Sequence, residues 1–348
     1  MIFPLAYTIL QCIIGYINHQ LGITDMINVT VKKVKVFIFI ALSISLALSV
    51  SAQDSLRIYM KKGGKRLLAK NYTEAVENYQ NALRFDPDNF EAIKNLGVAY
   101  SALGDQKQAR VYFERAYQIN PLEPELSNNL GVLFSNEGNS AEAIKYFEAA
   151  VSLDSSSALY LTNLGQEYSK IGLISLALPT LHRARELEPD KAVILFSLGS
   201  CYAAADNLDS AEFYFERCAA TGSGSAQLFY FLGTVKRRLG KTEEAEENFK
   251  RVLTYDTGHK ECLQSLGMLY LSQGRYAETI EQARRVVEID SVFYPGWILM
   301  GAAYALNDKT AEADSILQRL IAVDSAIGFQ MLDIITREHK KRQASKKQ

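Results

Sequence analysis

Histidine is the first side chain to test for chemistry, because it is the usual general base and metal ligand near neutral pH. The four in this chain, His19, His182, His259 and His339, are far apart and share no spacing with an Asp, Ser or Cys partner. No HExxH motif and no glycine-rich phosphate loop is present. The four cysteines, Cys12, Cys201, Cys218 and Cys262, show no CxxC or other metal spacing and no disulfide framework. Cys201 and Cys218 are expected to be two small buried thiols. The paired acids Glu243 and Glu244 fit a helix start, where negative charge favours the dipole. Catalysis needs convergent polar groups in a pocket, and nothing here converges. The expectation is a chain with no catalytic residues, no cofactor, no metal and no small-molecule substrate. What does recur is an amide. Asn95, Asn129 and Asn163 each open an Asn-Leu-Gly string, 34 residues apart. A carboxamide offers two donors and an acceptor, so a row of them at fixed spacing suits the backbone of an extended peptide.

The elements that must position such a row are legible in the glycine of the same string. It recurs as Gly63, Gly97, Gly131, Gly165, Gly199, Gly233, Gly267 and Gly301, without a slip. With that glycine as position 8, eight units tile the chain: 56–89, 90–123, 124–157, 158–191, 192–225, 226–259, 260–293 and 294–327. Positions 4, 7, 8 and 11 recur at i, i+3, i+4 and i+7, one face of a helix. Position 7 is mostly Leu and position 11 mostly aromatic, as at Tyr100, Phe134 and Tyr168. Positions 20, 24 and 27 form a second apolar face, Ala109, Phe113 and Ala116 in unit two and Ala143, Phe147 and Ala150 in unit three. Breakers such as Gly104-Asp105 and Gly138-Asn139 lie between. Each unit is therefore a helix–turn–helix hairpin. Gly at position 8 and Ala at position 20 let its two helices approach closely, and Pro87, Pro121 and Pro189 at position 32 end the second helix.

This pattern resembles the tetratricopeptide repeat. Trp297-x2-Met300-Gly301-x2-Tyr304 with Ala313 in unit eight, and Ile93-x2-Leu96-Gly97-x2-Tyr100 with Ala109, Phe113 and Pro121 in unit two, follow its signature. The resemblance implies an all-α fold, a right-handed α-solenoid of about eight repeats. Unit one, with Lys62 and Arg66 where Leu and Tyr are usual, suits an N-terminal cap. Residues 328–336, GFQMLDIIT, suit a final capping helix, followed by a basic tail whose expected role is solubility or disorder.

The resemblance also implies that first helices line a groove, with positions 2, 5, 6, 9, 12 and 13 facing it. The candidate groove residues are Lys94, Asn95, Asn128, Asn129, Asn163, Gln166, Phe196, Tyr230, Phe231, Arg237 and Arg238. Ser197, Phe231, Ser265 and Leu299 break the asparagine row at position 6. Phe196, Tyr230 and Phe231 with the basic run Lys236, Arg237 and Arg238 read either as anchors for a partner side chain or as aromatics leaning on the next helix with solvated cations. Lys236 also replaces the usual aromatic at position 11. The family's clamp for a chaperone C-terminal carboxylate is matched only at Lys94 and Asn129. The resemblance implies a protein or peptide partner.

Charge excludes one class of partner. With 38 basic and 39 acidic residues the net charge is −1, and a nucleic-acid surface needs a basic excess. Before the repeats, Lys32, Lys33 and Lys35 precede the uncharged run VFIFIALSISLALSV and then SAQDS. That is a secretory signal, 26–52, with cleavage expected after Ala52. Residues 1–25 read as an annotation artefact of the start site or an extra hydrophobic segment. Export to the periplasm or cell envelope is expected, with a membrane-anchored chain as the alternative if the segment is retained. The protein is then expected to be an interaction scaffold, or else the regulatory subunit of a separate envelope enzyme.

Overall fold

The computed structural model describes residues 11–16, 34–35, 38–39 and 52–345. The signal expected at 26–52, its cleavage point and the extension at 1–25 therefore lie largely outside the described residues. The described chain is helical with no strand. No helix among the described residues is long and apolar enough to cross a membrane. Two compact units are distinguished, Met1–Leu133 and Phe134–Gln348, with the boundary inside one helix.

Helices pair in chain order. The hairpins are α1 (52–68) with α2 (Tyr72–Leu83) and α3 (Phe90–Ala102) with α4 (Gln106–Ile119); α5 (Pro124–Asn136) and α6 (Ser140–Leu153) follow in the chain at the position of the third. Then come α7 (Ala158–Lys170) with α8 (Ile174–Leu187), α9 (Ala192–Ala204) with α10 (Leu208–Ala220), and α11 (Ala226–Arg238) with α12 (Thr242–Tyr255). The last are α13 (Lys260–Ser272) with α14 (Tyr276–Ile289) and α15 (Tyr294–Leu306) with α16 (Thr310–Val323), followed by α17 (Ser325–Ser345). From α3 onward the first helices start 34 residues apart.

The turn inside a hairpin does two jobs in two residues. After α3, Gly104 takes φ +81 and its N–H reaches the Ser101 carbonyl, while the Asp105 N–H reaches that of Tyr100. Those are the two bonds of a Schellman stop. The Asp105 carboxylate then accepts from the Gln108 N–H at 3.1 Å and caps α4. One short loop thus ends one helix and starts the next. Lys70, Asp206 and Asp308 hold the same left-handed backbone without glycine.

Close packing of each pair follows from position 8. In the first unit, a Cβ placed on Gly63 would stand 2.8 Å from the Tyr79 ring, and one on Gly97 would lie inside the Phe113 ring's contact shell. In the second unit, Gly165 meets Leu181, Gly199 meets Phe215 and Gly233 meets Phe249 in the same way. The partner in all five cases is position 24 of the same hairpin. The pattern changes in the seventh hairpin. There position 24 is Ala283, and the space beside Gly267 is taken by Leu299 of the next hairpin. Leu299 therefore interrupts the asparagine row because it is a core residue, 2% exposed. Ala109 and Ala143 are fully buried. Trp297 is held by its Nε1–H, which donates to the Ser291 carbonyl at 3.0 Å, and by the Arg319 guanidinium over its ring.

Pro179 lies in the second turn of α8, and the helix continues past it to Leu187. The final helix is longer than the sequence pattern indicates. It starts at Ser325 and runs through the basic tail to Ser345. No Gly or Pro follows Gly328, and Asp333 pairs with Arg337 one turn on at 2.9 Å, so nothing stops it where the apolar residues end. Met331, 1% exposed, anchors this helix against Gly301 and Ile316, capping the last hairpin's core.

Candidate functional site

Four candidates fall in the first unit. Asn95 and Asn129, at position 6, are half-buried. Lys94 and Asn128, at position 5, are buried. The Lys94 side chain lies between α3 and the start of α5. There the Lys94 ammonium is shared by Glu91 at 3.2 Å, Glu125 at 3.5 Å and Glu123 at 3.8 Å. Burial pulls the Lys94 pKa down, but the Glu91 hydrogen bond and the three negative charges outweigh it and raise it. Lys94 is thus a structural cation, already surrounded by carboxylates. A ligand carboxylate would be repelled there, which removes the partial match to the chaperone clamp.

In the second unit the first helices α7, α9, α11, α13 and α15 lie side by side in order. A pocket of about 230 Å³ opens between α7 and α9, lined by Gln166, Ser169, Lys170, Phe196, Ser197 and Ser200. These are positions 9, 12 and 13 of one repeat and 5, 6 and 9 of the next. Gln166 and Phe196 are brought together there as the register indicates. Ser169, Lys170, Ser197 and Ser200 are functional candidates that a search for amides and aromatics passes over. The groove register itself was the signal that identifies them.

The hydrogen bonds in this pocket can be followed proton by proton. The Ser197 hydroxyl donates to the Val193 carbonyl at 2.7 Å, so it can only accept from Gln166 Nε2, also at 2.7 Å. That fixes which end of the Gln166 amide faces Ser197. The Lys170 ammonium reaches the Ser135 carbonyl at 3.0 Å, the Ser135 hydroxyl at 3.2 Å and Glu167 Oε1 at 3.2 Å. Three protons meet three acceptors. The Ser135 hydroxyl in turn donates to Glu167 Oε2. Burial pushes the Glu167 carboxyl up, but hydrogen bonds from Ser135, Ser140 and Lys170 hold it below its ordinary value, so it stays ionised. Ser169 is turned to the Cys201 sulfur. Ser200 Oγ is covered and has no hydrogen-bond partner. An unpaired buried hydroxyl costs about 1–3 kcal/mol.

Aromatic candidates continue the face. Phe196 meets Phe231 edge-on at 5.6 Å between ring centres, and both contact the buried Phe215 ring. Tyr230 contacts Phe231 and Phe249 and stacks on His259 at 5.2 Å. The rings are half-buried, so they lean on neighbouring helices and still present an edge. Asn163 is half-buried and already engaged. Arg237 is exposed, and Arg238 pairs with Asp206.

Lys236 does not belong to this basic face. It is buried, with its ammonium 2.8 Å from Glu216 and 3.7 Å from Glu212 and hydrogen-bonded to Glu244. Those three carboxylates stand close enough to share one metal ion, but the ammonium already sits among them. Burial lowers the Lys236 pKa, and hydrogen bonds to Glu216 and Glu244 more than restore it. A lysine stem has replaced the aromatic of position 11, and its charge is neutralised inside the stack. Cys201, Cys218 and Cys262 are free, buried thiols whose pKa values burial raises.

An all-α array of hairpins, with the first helices of the second unit side by side, is a protein-interaction scaffold in its architecture. Models of the tetratricopeptide repeat match residues 67–104, 90–122, 124–157, 162–226 and 230–292. The chain belongs to the tetratricopeptide repeat family. Among solved structures it is similar to a chain of the APC/C hetero-tetramer Cut9-Hcn1, with TM-score 0.60 and 17% identity over 74% of this chain and 52% of that one. It thus spans about half the length of that protein. It is also similar to a tetratricopeptide repeat protein from Parabacteroides merdae, with TM-score 0.56 and 15% identity over 71% and 98% of the two chains. PilW, a type IV pilus biogenesis factor, gives TM-score 0.55 and 23% identity over 61% and 97%. At these identities the likeness is one of fold alone. No curated protein matches the sequence.

Proposed function

We propose that this chain is an exported, non-enzymatic scaffold of the cell envelope that holds an extended segment of a partner protein along its first helices. The observation that carries this reading is the pocket between α7 and α9. All six lining residues occupy register positions that face a groove in this family, and the Phe196–Phe231 edge continues beside them. Half-buried aromatics next to a polar recess are typical anchoring chemistry for peptide segments. Export rests on the lysine-flanked apolar run ending at Ala52.

Panning a displayed library of random peptides on the purified protein tests the groove. Enriched peptides should lose about tenfold or more in affinity on Phe196→Ala or Gln166→Ala, and nothing on Phe213→Ala, an exposed position of the second helix α10. Equal binding by all variants would place the ligand elsewhere. N-terminal sequencing of the protein recovered from the envelope tests export. A start at Gln53 supports the cleaved form, whereas an intact apolar segment means an anchored one.

A further inference from the structure

The chemistry of the α7–α9 pocket is more specific than a peptide groove requires. Its one cation, Lys170, is saturated: its three protons are taken by the Ser135 carbonyl, the Ser135 hydroxyl and Glu167. Glu167, 3% exposed and ionised, cancels its charge. The recess is therefore electrically neutral. A carboxylate entering it would give up hydration and find no unspent cation, beside a buried negative charge.

What remains unspent is a matched set of neutral groups. Gln166 is exposed and uses one Nε2 proton on Ser197; among the described residues nothing takes up its second Nε2 proton or its carbonyl oxygen. Ser200 Oγ makes no hydrogen bond where it lies, so turning it about χ1 toward the recess sacrifices none. One face thus offers an N–H donor, a C=O acceptor and a hydroxyl that serves as either. Phe196 supplies an apolar wall for methylene groups. A peptide backbone has the same two polar groups, but it runs along the helices and does not enter a recess between them. A side chain does.

Building on the groove reading above, we infer that this pocket accepts a neutral carboxamide side chain, Gln or Asn, from the bound segment and discriminates against Glu and Asp. The Gln166 amide pairs with the ligand amide, Ser200 satisfies the remaining polar atom, and the methylenes lie on Phe196. The selectivity is opposite to that of a site built around a free cation.

The test uses the protein purified as the cell exports it, labelled with nitrogen-15, and three probes: N-acetylglutamine N-methylamide, the glutamate counterpart and the alanine counterpart. The readout is the backbone amide shifts of Ser197 and Ser200. The glutamine compound should give saturable shifts at the roughly millimolar affinity open to so small a ligand. The glutamate compound should bind about tenfold more weakly or worse, and the alanine compound should leave both signals in place. Gln166→Leu should abolish the response, and Ser200→Ala should weaken it. Glutamate binding as well as glutamine, the alanine compound giving the same shifts, or no saturable shift would each overturn the inference. Success in peptide panning alongside such a result would leave the groove standing and remove only its selectivity.

Discussion

Adding one methyl group at Gly199 is the sharpest perturbation of the packing. An ideal Cβ there stands 2.6 Å from Phe215 Cδ1 and 2.7 Å from its Cε1. Ordinary carbon contacts are about 3.5–4.0 Å, so the ring or a helix must retreat by about 1 Å. Phe215 is fully buried and has no space to retreat into. Overpacking of this kind costs about 1–3 kcal/mol, against which the better helix propensity of Ala returns about 1 kcal/mol. Gly199→Ala should therefore destabilise the fifth hairpin by up to about 2 kcal/mol in net terms. The same change in a Phe215→Ala background should be neutral or stabilising, a coupling of about 1–3 kcal/mol. Gly240→Ala is the control. Nothing stands near its Cβ, but its φ is +78, so its cost of about 1–2 kcal/mol is a backbone cost and should not change when Phe215 is removed. Repeat arrays open locally, so the assay is native-state hydrogen exchange of the α9 and α10 amides. Equal costs for Gly199→Ala in both backgrounds would refute close approach as the reason for the periodic glycine.

Other expectations follow from the buried charges. Lys236→Met should destabilise the fifth and sixth hairpins by about 1–3 kcal/mol, because Glu216 and Glu244 lose their shared cation while Glu212 keeps Lys241 at 2.6 Å, read by the same exchange measurement. Glu246 is held down to about 2 by hydrogen bonds from Arg275, with Lys250 and Tyr270 adding to the effect. A depressed carboxyl contributes stability that is present above its ordinary value of 4.5 and is lost as the pH falls through about 2. The Glu246→Gln variant should thus be less stable by on the order of 3 kcal/mol at neutral pH, with the difference from wild type vanishing below that window in acid titration. Burial raises the Cys201 and Cys218 thiols and pushes that of Cys262 up to about 12. Iodoacetamide followed by mass spectrometry should label these three only after unfolding.

The fold was legible because periodic small residues admit few three-dimensional readings. A glycine every 34 residues with an aromatic sixteen positions later is a contact, and the Gly97–Phe113 and Gly233–Phe249 pairs are that contact. What the sequence could not convey is where a side chain's charge is spent. Lys94 and Lys236 look like groove or surface cations, and both are enclosed by carboxylates from neighbouring turns and helices. Ser197 looked like a gap in an asparagine row, yet it is the acceptor that orients Gln166. Leu299 looked like another gap and proved to fill space vacated by Ala283. These are pairwise three-dimensional facts between residues that lie up to some thirty positions apart, which register alone does not resolve.

Site-specific photo-crosslinking in the producing cell tests the central claim most directly. A benzophenone side chain is placed at Phe231, on the first-helix face beside the pocket, and in parallel at Phe213 on α10. The account predicts one defined protein adduct from position 231, abolished by Gln166→Ala with Phe196→Ala, and none from position 213. An adduct formed equally from position 213, or one indifferent to the pocket variants, would contradict it.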